Sequence, residues 1–102
     1  MKPKPRPLGE SEQNLLRLYT QCKLGMTPQD FYSKWDVSQE QIASICDRSI
    51  STVRNWFRSG KNYHSPLPID LRHLALMDFL LEHWEDIPES LRNQLCPSDP
   101  RV

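Results

Sequence analysis

VSQEQIASICDRSISTVRNWFRSG, running from Val37 to Gly60, decides the fold of this 102-residue chain, because it reads as two short helices around a tight turn. Ser38 stands where an N-cap would accept a backbone N–H of the first turn, and Gln41 three residues on completes a capping box. Val37 before the cap and Ile42 after it occupy the positions of a hydrophobic staple. Ile42, Ala43, Ile45 and Cys46 then recur at spacings that place them along one helical face. The pattern breaks at Asp47-Arg48-Ser49, all tolerant of turns, and Ser49 is placed to cap a second helix from about Ile50 to Ser59.

The second helix divides into two chemically different sides. Ile50, Val53, Trp56 and Phe57 form an apolar side that must pack inward. Ser51, Arg54, Asn55 and Arg58 form the opposite side, rich in hydrogen-bond donors. A guanidinium can pair with guanine O6 and N7 or grip a phosphate, an asparagine amide matches adenine, and a serine is short enough to allow close approach.

With these residues in place, the segment resembles the helix-turn-helix of bacterial and phage repressors and resolvases. In that family a small residue lets the two helices touch, and Ala43 stands there. Val53, ten residues on, matches the apolar residue that locks the crossing, and Trp56 matches a bulky apolar position three further on. The resemblance covers about 20 of the 102 residues. It departs from the pattern at Asp47, where the family prefers glycine because the backbone takes a positive φ; aspartate visits that region better than most residues. The resemblance implies base-reading positions at Ser49, Ile50, Ser51, Arg54 and Asn55. The whole chain is also similar to small cyanobacterial helix-turn-helix proteins, a likeness that fixes no function.

Bulk properties narrow the classes. A chain of this length suits one domain with one core, and 37% hydrophobic with 25% charged residues suits a soluble globular protein. No apolar run is long enough to span a bilayer, and Met1 to Pro7 alternates base and proline without the apolar stretch of a signal peptide, so a cytoplasmic location is expected. Cys22, Cys46 and Cys96 are odd in number and far apart, and neither they nor His64, His73 and His83 show a short ligand spacing. No metal and no cofactor are expected. Paired carboxylates, a nucleophile with its base and a glycine-rich phosphate loop are likewise missing from the pattern, which argues against an enzyme.

Net charge is zero, so attraction to DNA cannot be argued from the whole molecule. Its distribution is more informative. Arg48, Arg54, Arg58 and Lys61 stand in a stretch without acids, whereas Asp70, Asp78, Glu82, Glu85, Asp86 and Glu89 cluster later against Arg72 and Arg92. The expected molecule is polarised, with a basic end suited to phosphate.

Around the motif the sequence reads as an all-α fold, a compact bundle of five to six short helices. Residues 1–9 form a proline-rich basic arm, with Lys2, Lys4 and Arg6 as candidates for a DNA minor groove; residues 10–96 form the helical domain, and 97–102 a fraying tail. A first helix is expected from about Ser11 to Lys23 with Leu15, Leu18, Tyr19 and Cys22 on one face, stopped by Gly25. Thr27-Pro28-Gln29-Asp30 starts a second helix carrying Phe31, Tyr32 and Trp35, aromatics expected behind the motif. Lys61 to Pro68 reads as a loop. A helix from about Asp70 to Trp84, apolar on nearly every side, is expected as a central post and as a homodimer interface. Ile87-Pro88-Glu89 starts a last helix.

The expected function is sequence-specific binding of double-stranded DNA in transcriptional regulation. Ser49, Ile50, Ser51, Arg54 and Asn55 would lie at base edges, with Arg58 and Lys61 on the backbone. The alternative is a protein-interaction adaptor built on the same motif without direct DNA readout, which zero net charge and Asp47 favour.

Overall fold

A computed structural model describes Lys4–Leu95; Lys2 of the arm, Cys96 and the tail 97–102 lie outside the described residues. The fold is all-helical, a bundle of short helices: α1 (Glu10–Gln21), α2 (Pro28–Lys34), α3 (Gln39–Cys46), α4 (Ile50–Trp56), α5 (Pro68–Glu82) and α6 (Glu89–Leu95), with 3-10 turns at Gly60–Asn62 and Trp84–Asp86. No helix among the described residues is long and apolar enough to cross a membrane.

Helices of seven or eight residues are unstable alone, so α2, α3 and α4 depend on their caps and on a shared core. The caps are those the sequence announces. Thr27 Oγ1 accepts from Asp30 N at 3.0 Å. Ser38 and Gln41 form the reciprocal box, with Gln41 N donating to Ser38 Oγ at 3.1 Å and Ser38 N to Gln41 Oε1 at 2.8 Å. Ser49 Oγ accepts from Thr52 N at 3.1 Å. Between α3 and α4, Asp47 takes the left-handed conformation at φ 55°, ψ 49°, the geometry for which glycine is usually chosen.

The core is one cluster of Phe31, Ile42, Ala43, Cys46, Val53, Trp56 and Leu74, with Met26, Trp35, Val37, Ile45, Phe57, Met77 and Leu81 packed around it. It joins α2, α3, α4 and α5; α3 packs against both α4 and α5. Phe31 is fully buried and Trp35 half-buried behind the motif. Tyr32 is more exposed, but its ring meets the edge of Phe57 with centroids 5.3 Å apart. The central post is α5, which inserts Leu74 and Ala75 into the interior.

Several boundaries differ from the sequence reading. The first helix ends at Gln21 and Cys22 caps it in extended backbone, so Gly25 is not its stop. Gly25 instead marks a close approach: a Cβ there would stand 3.2 Å from Leu71 Cβ, and the adjacent Met26 N donates to Leu71 O at 3.0 Å. The motif's second helix ends at Trp56 rather than Ser59, leaving Arg58 beyond its last turn. The long helix begins earlier, with Pro68 in its first turn and Asp70 Oδ2 accepting from Leu67 N at 2.9 Å, and Trp84 falls in the 3-10 turn that follows.

The helix pairing makes a direct prediction. Ala43 is only 6% exposed where α3 meets α4, and a larger side chain there must push the helices apart. Ala43→Leu should cost roughly 1 to 3 kcal/mol through overpacking, read as a lowered midpoint in thermal or urea unfolding. An unchanged midpoint would contradict this packing.

Candidate nucleic-acid interface

The candidate interface is built on α4, whose inward side is fixed by burial of Val53 and Trp56. With that side held, Ser51 and Arg54 are turned to solvent, while Ile50 and Asn55 lie half-buried at the flanks. Ser49 is exposed but engaged: its hydroxyl caps the helix and also shares a hydrogen bond with Thr52 Oγ1 at 2.9 Å. Ser49 therefore supports the start of α4 and has less capacity left for a ligand.

Arg58 and Lys61 are both exposed, Arg58 just past α4 and Lys61 within the 3-10 turn. Gly60, at φ 69°, enters that turn through backbone that disfavours a side chain. The turn is tied back to α4, because Asn55 O accepts from His64 N at 3.1 Å. The neighbouring Trp56 O accepts from Gln29 Nε2 at 2.8 Å. Trp56 O thereby gains the partner that a helix end does not supply, Asn55 O gains a second beside Arg58 N at 3.4 Å, and Arg58 and Lys61 follow α4 on a fastened loop. Among the described residues no ion pair engages Arg54, Arg58 or Lys61. Lys4 and Arg6 of the arm are exposed, outside any helix.

Arg48 does not belong to this basic face. Its Nε donates to Asp70 Oδ1 at 2.9 Å and its Nη2 to Asp70 Oδ2 at 3.1 Å, a forked pairing across 22 residues. Asp70 is 1% exposed. By their place in the sequence these two residues belong to opposite ends of a polarised molecule. One local signal was available for Asp70, since an acid at the third position of a helix beginning with proline commonly accepts the cap N–H. Nothing local marks Arg48 as its partner. Nor does anything local mark Gln29 as the group that closes the end of α4, 27 residues away.

Burial pushes the Asp70 carboxyl up, but the bonds from Arg48 and Leu67 outweigh it and hold the group below the usual carboxylate range. Asp78 is also held low, first by the ammonium of Lys34 at 2.8 Å, against desolvation and with help from Trp35 Nε1 at 2.9 Å. Lys34 in turn is raised by Asp78 and then Glu82. Burial, aided by Asp70, pushes the Cys46 thiol up to about 11, so at neutral pH it stays protonated and serves as a small core group. Among the described residues no group of three or more His, Cys, Asp or Glu side chains is placed to hold a metal ion.

The arrangement offers a short exposed helix face with one free guanidinium, flanked by two further free cations on an anchored loop. Comparison with protein-family models, with curated proteins and with solved structures gives no match.

The depressed carboxylates set a pH dependence. A group whose folded pKa lies below its unfolded value binds a proton first in the unfolded chain, so its contribution is complete above the unfolded value, near 3.9, and is lost as pH falls through the folded one. The protein should thus lose stability progressively below about pH 4. Asp70→Asn should cost about 3 kcal/mol at pH 7, the lower end for breaking a buried pair, because the Arg48 side chain is 32% exposed and can rehydrate. Its stability should also fall less between about pH 4 and pH 2.5 than that of the parent. Urea unfolding at neutral and acid pH measures both effects.

Proposed function

We propose that this protein binds double-stranded DNA sequence-specifically and acts in the cytoplasm as a transcriptional regulator, with α4 lying in the major groove. The observation that carries this reading is the outward face of α4, where Ser51 and Arg54 are exposed and Arg54 is free of any ion pair among the described residues. Arg54 is the principal base-reading group, with Asn55 beside it and Ile50 at the flank for a thymine methyl. Ser51 permits close approach, and Ser49 contributes through the helix start it caps. Arg58 and Lys61 contact the phosphate backbone from the fastened loop, fixing register without reading sequence. The arm, with Lys2, Lys4 and Arg6, adds an electrostatic contact in the adjacent minor groove.

A second reading is favoured by two observations: zero net charge and the exposed Asp47 beside the start of α4. On it, the motif is a protein-interaction adaptor and its basic face is merely solvated. Selection from random duplex DNA separates the two, since enrichment of one motif is expected only of a groove reader.

The roles assigned to single residues differ measurably. Arg54→Ala should weaken specific binding by about 1 to 3 kcal/mol without lowering the melting temperature, because a base-edge donor is lost and the core is untouched. Lys61→Ala should weaken binding to all sequences alike and reduce the salt slope by about one. If the parent shows no binding to duplex DNA at low salt, or both variants bind as the parent does, the groove-reading proposal is wrong and the adaptor reading takes its place.

A further inference from the structure

We propose that α1, with the outer face of α5, docks a second copy of this chain, the two α1 helices running antiparallel across a two-fold axis. Every residue of α1 is exposed, yet Leu15, Leu18 and Tyr19 recur at spacings of three and four on one face. Such a stripe stabilises a helix in water only by covering something. Leu15 is 67% and Leu18 54% exposed, so the chain's own core does not serve that purpose. Leu8 adds to the same surface, lining an apolar hollow of about 430 Å³ with Leu15 and Tyr19.

The stripe meets α5 where the Arg72 guanidinium lies 5.1 Å from the centre of the Tyr19 ring. Leu76 and Phe79, four and seven residues beyond Arg72, share its face of α5, and Phe79 is 60% exposed. Taking about 200 Å² for each large side chain when fully exposed, the exposed fractions of Leu8, Leu15, Leu18, Tyr19, Leu76 and Phe79 offer roughly 600 Å² of apolar surface per copy. Two copies then reach the lower end of the range for specific interfaces, which implies a dimer of micromolar strength.

Charge selects the occupant. Glu10 and Glu12 stand in the first turn of α1, Glu12 on the edge of the stripe, and exposed Lys23 follows two residues past the helix's end. An antiparallel pair sets each Glu12 beside the other copy's Lys23, an isologous arrangement that one surface can satisfy with itself. Zero net charge means the copies do not repel. The described part of the arm, Lys4-Pro5-Arg6-Pro7, has no large apolar side chain with which to cover the stripe. The inference rests on this surface alone and stands apart from the DNA reading.

Sedimentation equilibrium of the full chain between about 1 and 100 µM tests it. The parent should be a monomer–dimer mixture in this range, and Leu15→Glu should raise the dissociation constant about 100-fold or more while leaving far-ultraviolet dichroism and melting at low concentration unchanged, since Leu15 touches no core. Glu12→Lys and Lys23→Glu should each weaken the dimer, and the two together should restore it. A parent that is monomeric at about 100 µM overturns the proposal and leaves the face to a different protein. A dimer that survives Leu15→Glu but is lost in Phe79→Glu overturns the part given to α1, and failure of the double charge reversal to restore association overturns the antiparallel arrangement.

Discussion

Asp70 is the constraint on which the motif's placement depends. A carboxylate removed from water must be paired and hydrogen-bonded or it will take up a proton, and here one residue makes three kinds of contact. It accepts the N–H of Leu67 at the start of α5, receives the fork of Arg48, and its backbone carbonyl lies 3.7 Å from the Cys46 thiol. The turn between α3 and α4 is consequently fastened to the beginning of α5. Because Asp47 next to Arg48 is already confined to left-handed backbone, the direction in which α4 leaves the turn has little freedom. The free face of α4 is thus oriented by a residue more than a dozen positions away from it.

The same pairings alter how charge should be read. The sequence shows six acids between Asp70 and Arg92, but Asp70 is taken by Arg48, and Asp78 and Glu82 are bridged by Lys34. What remains on that side is weaker than a linear count suggests, and the basic stretch loses Arg48 in exchange. Polarity survives chiefly as three unpaired cations on and after α4. A net charge of zero therefore conceals internal neutralisation more than it describes the surface that a partner would meet.

What could be read in advance follows from the range of the forces involved. The caps at Thr27, Ser38 and Ser49, the positive φ at Asp47 and the burial of Ala43, Val53 and Trp56 all arise within a few residues of one another, and the sequence displays them directly. The end of α4 could not be read in this way. Phe57, Arg58 and Ser59 continue a plausible helical pattern, but the carbonyls of Asn55 and Trp56 are claimed by His64 and Gln29, contacts that exist only once the chain has folded. Gly25 shows the converse: it is of a residue type that often stops helices, yet α1 ends four residues before it, and its missing side chain allows the chain to pass against Leu71. Exposure of Ser51 and Arg54 follows the helical period; the place of Arg58 and Lys61 on the loop beyond α4 and the withdrawal of Arg48 do not.

The apolar side chains divide unevenly for a geometric reason. Helices α2, α3 and α4 are seven to eight residues long, so each presents about two turns and can cover only a small area. They fit one side of α5 and enclose Leu74, and the core is complete with eight buried hydrophobic residues. Against these, fifteen large hydrophobic side chains among the described residues remain exposed. That surplus cannot be removed by tightening the existing core, which is already closed around Trp56, Phe31 and Ile42. It collects on α1 and α6, the elements least engaged with the core, and at the outer side of α5. In so small a domain the interior is used to fix the turn and α4, and the apolar surface left over is free to be used between molecules.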